Sequence, residues 1–455
     1  MSPSRVKGRS VASRDRCVDR RRLHTHVLKR SPDGNDEDGL ACTSALVSGD
    51  GDVELRLRDL PWACIAVLAD VFPLPPRIAP AKAPGRPVDR ADRLASSHVD
   101  AAAFRKQFPV FERLAYLNAG TCGPLPAPAV TVQTRVLEEC ARSGRAATYY
   151  EQSKALATQR RAAYGALLNA EPDDVALTTS TSEGIVRVLA GLPLQPDDEV
   201  LTSDEEHSGL LGPLAAARAQ RGIVVREVPF DELANAVSPE TKLVACSHVS
   251  WIGGGLAPDL SGLDVTVLLD GAQGAGAIPV DVAALGCDFY AASGQKWLCG
   301  PVGTGMLWVS PAWSERLIAF GPTYANLENP AAGLDAVLAA GARRHDTHSQ
   351  SLDGAVAAAA AFVLLATTGW GEVHERAASL ADELAAALAE RGAEVAPRGR
   401  TTLVAWKDPD TAATLARCAE AGVVIRGLPG RGLLRASVGA WNDESDLERL
   451  LAAAL

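Results

Sequence analysis

Ala292-Ser293-Gly294-Gln295-Lys296-Trp297-Leu298-Cys299-Gly300-Pro301, read with Val267-Leu268-Leu269-Asp270-Gly271-Ala272-Gln273 upstream, decides how this chain is organised. A short apolar run ends in Asp270, and 26 positions on (296 − 270) a lysine sits among small, polar and glycine residues. An aspartate at a strand end and a lysine in such a setting fit pyridoxal 5′-phosphate (PLP) chemistry. There the lysine amine holds the aldehyde as a Schiff base, and the carboxylate keeps the pyridine nitrogen protonated.

Outward from this pair the chain alternates. Apolar runs at 175–179, 199–202, 222–228, 242–247 and 265–269 are each followed by a turn and usually by a helical pattern. Helical spacing also covers 130–142 and 152–168. Short apolar runs interleaved with helices predict an α/β fold, with a mainly parallel sheet covered on both faces. Residues 114–118 read as a short strand opening into the turn Gly120-Thr121-Cys122-Gly123-Pro124. Beyond Pro311 come alanine-rich helices, then strands at 401–406, 423–426 and 433–437 around a helix at 410–420. This predicts a large α/β domain over 99–350, with an N-terminal arm at 99–125, and a smaller C-terminal α+β domain over 351–455.

Residues 1–98 have a different texture: arginine-rich at first, then rich in Asp and Gly, then in proline. They read as a disordered extension. An over-extended gene model with a true start near Val99 is preferred to a transit peptide, which Asp15, Asp19 and the acids of 33–38 disfavour, and to a regulatory tail.

With 55 acidic and 45 basic residues the net charge is −10, which gives no reason to propose nucleic acid or an anionic membrane as partner. Nine cysteines without a Cys-x-x-Cys pair argue against a disulfide framework and a structural zinc site, and a reducing cytoplasm is the simplest compartment. The alanine-rich stretch 354–370 falls short of the ~18–20 residues of a membrane span and reads as a buried helix.

Ligands of open α/β sheets collect at strand carboxyl ends. Asp270 lies at one, and Thr178-Thr179-Ser180-Thr181-Ser182-Glu183-Gly184 lies at another and opens a helix, a ready phosphate site. His207, in Asp204-Glu205-Glu206-His207-Ser208, follows a third. Taken singly, each has a plainer reading: a helix N-cap, a surface histidine, a snorkelling lysine, a turn aspartate. Gly271-Ala272-Gln273-Gly274-Ala275-Gly276 has the wrong spacing for a dinucleotide loop. The order of these residues, each at a strand end, outweighs the separate plain readings.

From about Phe104 to the C-terminus the chain resembles the class V aminotransferase-type, fold-type I PLP enzymes of the cysteine desulfurase, cystine C–S lyase and isopenicillin N epimerase group. The resemblance implies PLP as cofactor, a small-molecule amino-acid substrate and a homodimer. Ser293-Gly294-Gln295-Lys296 matches the family's Ser-x-His-Lys, with Gln295 in place of histidine. It implies Lys296 as Schiff-base lysine, Ser293 and Gln295 beside the phosphate, and Thr181 and Ser182 holding it. It further implies Asp270 on the pyridine nitrogen, Gln273 on the ring hydroxyl and His207 stacked on the ring. Leu434-Arg435-Ala436-Ser437 with Trp441-Asn442 is similar to Arg-x-Ser…Tyr-Asn, which makes Arg435 the clamp for the substrate carboxylate, with Asn118 beside it. Residues 344–349 resemble a loop that in relatives approaches the neighbouring subunit's phosphate.

By the same resemblance, a desulfurase needs a cysteine on a loop just before the carboxylate-binding arginine. Residues 425–435 hold none, and Cys122 and Cys418 lie elsewhere. The turn at 118–126 and His248-Val249-Ser250-Trp251 are closer to C–S lyases and epimerases. A carbanion carrying a β-thio leaving group then expels it, so β-elimination from a cysteine- or cystine-type substrate is expected. Transamination and epimerisation, which need the same carbanion, stay open as alternatives. A non-enzymatic nucleotide-binding module leaves Lys296 and Arg435 without purpose.

Overall fold

Most strands here are short runs that are apolar on both sides, so they must be covered on both faces, and the computed structural model shows how. It describes residues 100–347 and 349–455. The expectations for residues 1–98 and the start near Val99 lie outside the described residues.

Seven strands form the central sheet: β2 (Val175–Thr178), β3 (Glu199–Ser203), β4 (Val224–Val228), β5 (Thr241–Ser247), β6 (Thr266–Asp270), β7 (Phe289–Ser293) and β8 (Gly305–Val309). Their order is β2-β8-β7-β6-β5-β3-β4, with β8 antiparallel to both neighbours and the other pairings parallel. Alternate residues of one strand feed two cores, as the two-residue period requires. Val267 and Leu269 pack with Tyr164 and Phe362 on one face, while Leu268 packs with Ile185 and Leu210 on the other. The first face is covered by helices α2 (Ala147–Leu168) and α5 (Leu352–Thr368), the second by α3 (Thr181–Gly191) and α4 (Ser208–Arg221). Each such fully buried Leu or Ile contributes about 1.5–3 kcal/mol. Helix α1 (Ala127–Ser143) precedes α2 and packs on α5.

The C-terminal segment adds α6 (Trp370–Glu390), β9 (Leu403–Lys407), α7 (Thr411–Glu420), β10 (Val423–Val424), β11 (Arg426–Leu428), β12 (Leu433–Ser437) and α8 (Glu444–Ala454). β11, β12 and β9 form an antiparallel sheet in that order. The strand expected over 423–426 is two strands: β10 pairs in parallel with β1 (Ala115–Tyr116), and β11 turns to pair with β12. The arm 99–125 therefore hydrogen-bonds to the C-terminal segment through β1, and to the loop after β7 through Gly123 N–H and Gln295 C=O (2.8 Å). Gly222 (φ 72°) ends α4, so β4 starts at Val224 rather than at 222. The helix expected over 354–370 is α5, closed by Gly369, and among the described residues no single helix is long and apolar enough to cross a membrane.

Candidate active site

Two adjacent strands end side by side. β6 delivers Asp270, 6% exposed, whose Oδ1 accepts the Ala272 N–H (2.9 Å). Burial raises its carboxyl above the usual range, opposed by the charge of Lys296 and by that N–H. β7 delivers Ser293, after which a tight turn carries Lys296. Gly294 N–H to Thr304 O (2.8 Å) and Gly300 N–H to Gly294 O (2.9 Å) close that turn. A Cβ on Gly123 would stand 2.0 Å from the Lys296 carbonyl, so only glycine lets the 118–126 turn seat against it. Withdrawal from water pulls the Lys296 ammonium down to about 8, with Asp270 opposing and Arg435 and Arg426 adding to the fall.

The N-terminus of α3 meets the same strand ends. Thr181 N–H donates to Ser293 Oγ (3.2 Å), and the two hydroxyls are 2.5 Å apart. Ser182 lies against α4, where a Cβ on Gly209 would stand 2.7 Å from Ser182 Oγ. His207 caps α4: its Nδ1 accepts the Gly209 N–H (3.0 Å), which leaves the proton of the neutral ring on Nε2. Burial and the charges of Lys296, Arg426 and Arg435 push His207 down to about 4, so it is neutral at pH 7. Its ring meets Trp251 edge-on at 5.1 Å.

Gln273 is more committed than expected. Its Nε2 donates to Gly120 O (2.8 Å) and its Oε1 accepts the Trp297 indole N–H (2.9 Å), so the amide braces the 118–126 turn and has one free proton for a ligand. Arg344, expected in a loop facing a second subunit, bonds within its own chain to Ala339 O (3.1 Å) and Glu315 (2.9 Å).

On the opposite wall, Arg435 on β12 is fully buried and donates through Nη1 to Trp251 O. Its Nε and Nη2 have no partner, nor do Asn118 Oδ1 and Ser437 Oγ on the same wall, nor Gln295 Oε1 in the turn that carries Lys296. Burial and Arg426 lower Arg435 to about 9. Arg426, which sequence reasoning missed, is the cross-strand partner of Arg435, and both guanidinium carbons lie over the Trp251 ring at 5.8 and 5.9 Å. Among the described residues neither arginine pairs with a carboxylate. A signal was present: a turn at 429–432 fixes the pairing of 428 with 433, and hence of 426 with 435.

Buried, unpartnered polar groups are costly, and each calls for an explanation. Here they converge with a lysine of depressed pKa, a buried aspartate and a helix N-terminus lined with hydroxyls. That set fits PLP: an amine for the aldehyde, an acid for the ring nitrogen, a cradle for the phosphate and a cation for a carboxylate. The model of the aminotransferase class-V family matches residues 116–450. The chain belongs to that family. It is 34% identical to a probable cysteine desulfurase of Methanothermobacter thermautotrophicus and 31% identical to the isopenicillin N epimerase of Amycolatopsis lactamdurans, each over 45% of this chain. The matched stretch spans 55% of the first and 56% of the second of these relatives, about half their length. The cystine C–S lyase C-DES, solved with its product cysteine persulfide, superposes with a TM-score of 0.71 at 25% identity, covering 76% of this chain and 99% of C-DES. A C-DES mutant structure carries glycine linked to the PLP cofactor. This protein is accordingly a PLP-dependent enzyme of fold-type I.

Proposed function

We propose that the protein is a carbon–sulfur lyase that cleaves cystine- or cysteine-type substrates by β-elimination, releasing pyruvate, ammonia and a persulfide or thiol. The observation that carries this is the β11–β12 hairpin. Residues 429–432 close it tightly, so the segment before Arg435 has neither a cysteine nor the length to swing one inward. Cys418 is 1% exposed in the core with Leu450 and Trp406, which removes it as a sulfur acceptor.

PLP, when bound, supplies the electron sink for the bond broken at Cα. We assign Lys296 as the group that holds it and then moves the Cα proton, a role its lowered pKa of about 8 suits near neutral pH. Asp270 holds the proton of the pyridine nitrogen. Thr181, Ser182, Ser293 and Gln295 line the phosphate end, and neutral His207 covers the ring. Gln273 keeps one N–H for the ring hydroxyl. Arg435, with Asn118 beside it, binds the substrate α-carboxylate, and Arg426 gives a second guanidinium for a second carboxylate, which cystine has and cysteine lacks. The enzyme acts as a cytoplasmic homodimer in this reading, with Ile318, Phe320, Tyr324, Leu334 and Val337 after β8 providing exposed apolar surface for a second copy.

Incubation of the holoenzyme with L-cystine, L-cysteine, and L-alanine plus a keto acid tests this. Pyruvate from cystine at a higher kcat/KM than from cysteine is expected. Keto-acid exchange or racemisation without pyruvate would transfer the assignment to an aminotransferase or epimerase.

A further inference from the structure

β3 and β5 are neighbours in the sheet, yet their connections leave in opposite directions: β3 runs on to β4 at the edge, and β5 to β6 towards the middle. At such a point the carboxyl ends part and open a crevice. Regular pairing of β3 with β5 stops at Leu201 and Val244, and Thr202 Oγ1 to Ala245 O (2.7 Å) extends the contact by one step. Past that point one side chain spans the gap. Glu206, 3% exposed, accepts Ser203 Oγ (2.5 Å) and the Ser247 N–H (3.0 Å) on Oε1, and Ser247 Oγ (2.6 Å) on Oε2. Ser247 is the cross-strand partner of Asp270, and the next N–H, that of His248, donates to the Asp270 carbonyl (2.9 Å).

We propose that Glu206 is a positioning residue for the cofactor: it fixes the end of β5, and through Ser247 and His248 the strand end carrying Asp270, and it places negative charge behind the Asp270 carboxylate. Burial and the nearby Asp270 raise Glu206 to about 7, against the three hydrogen bonds that favour its ionised form. The charged and titratable groups facing it are Asp270 on β6 and Cys246 on β5. The preceding acid extends the same device, because Glu205 accepts Ser250 Oγ. Two consecutive glutamates thus hold Ser247 and Ser250 and so fix Trp251, whose carbonyl orients Arg435. Behind Asp270, the His248 Nδ1 and Tyr290 hydroxyl (3.0 Å) complete the support, and a Cβ on Gly274 would strike both.

The inference rests on Asp270 facing the pyridine nitrogen and not on which product is released. Holoenzymes carrying Glu206→Gln, Ser247→Ala and Asp270→Asn are compared by visible absorbance against pH and by the rate of PLP release. Glu206→Gln removes the charge at constant size. It is expected to move the midpoint of the absorbance change to lower pH, since loss of a nearby negative charge disfavours the protonated form, and to speed PLP release about tenfold. Ser247→Ala keeps the carboxylate and so tests the linkage should Glu206→Gln fold poorly; faster release is expected, and in the double variant no more than in Glu206→Gln alone. Wild-type midpoint and release in Glu206→Gln, or wild-type release in Ser247→Ala, while Asp270→Asn alters both, would overturn the inference alone. Wild-type behaviour in all three would overturn the Asp270 assignment and the inference with it.

Discussion

The two walls of the site handle charge in opposite ways. At the carboxyl ends of β6 and β7, Asp270 and Lys296 compensate each other, and each carries the other's charge in its titration. On the β11–β12 wall, Arg426 and Arg435 are direct cross-strand partners with both guanidinium carbons over the Trp251 ring, an arrangement that costs stability when like charges stand directly opposite. The first wall is self-sufficient and suited to a permanent cofactor. The second leaves buried guanidinium donors of Arg435 unpartnered, the feature on which the proposed carboxylate site rests.

Removing Lys296 is the harshest way to break that contrast. Lys296→Ala should abolish turnover, and borohydride should fix PLP to the wild-type peptide containing Lys296 but not to the variant; labelling of another lysine would refute the assignment. Asp270→Ala should bind PLP yet slow cleavage at Cα by orders of magnitude, measured as isotope exchange of the Cα proton. The arginine wall predicts a smaller and different signature. Each charge-assisted contact is worth about 1.5–3 kcal/mol, or roughly ten- to a hundredfold. Arg435→Ala should therefore raise KM for cystine and cysteine alike, whereas Arg426→Ala should raise KM for cystine more than for cysteine. An equal effect of Arg426→Ala on both would erase the distinction between the two guanidinium sites.

Acid offers a gentler probe. His207, His248, His345 and His374 are pushed down to about 4 by burial, so between pH 6.5 and 4 the unfolded chain binds more protons than the folded one. Stability then falls as pH drops through that window. Glu206, raised to about 7, acts in the opposite sense between pH 4.5 and 7. Asp174, Asp270 and Asp288, also raised by burial, act in Glu206's sense but start from a lower ordinary value, so the four histidines dominate the upper part of the window and Tm should decrease from pH 7 to pH 4.5; a constant or rising Tm would contradict the burial pattern. The smallest effect is expected of Cys418→Ala, which should leave pyruvate release unchanged within error.

Much of the sheet was legible because β2, β3, β5 and β6 each carry a run of consecutive apolar residues that is buried on both faces, the mark of strands covered on both sides. β7 and β8 escaped notice: Ala291, Ala292 and Gly305 weaken any strand signal although every position is buried. The pairing of β1 with β10 was also hidden, since two residues carry no period and their partners lie three hundred positions away. Among the candidate-site residues, those marked by a strand end or a lysine-centred motif could be singled out from sequence, and Thr181, Ser293, Asp270 and Lys296 lie together at the ends of β6 and β7. Glu206 could not, because its meaning comes from Ser203 and Ser247, which only the parting of β3 and β5 brings to it. Trp251 was legible as a residue but not as the carbonyl that holds Arg435.

The fate of sulfur tests the central claim most directly. Holoenzyme incubated with L-cystine should release pyruvate and a small-molecule persulfide in equal amounts, with the intact protein keeping its mass. With L-cysteine as substrate, alanine as the amino-acid product, together with a protein heavier by one sulfur atom, would contradict the lyase reading and make this chain a desulfurase with a nucleophile outside residues 425–435.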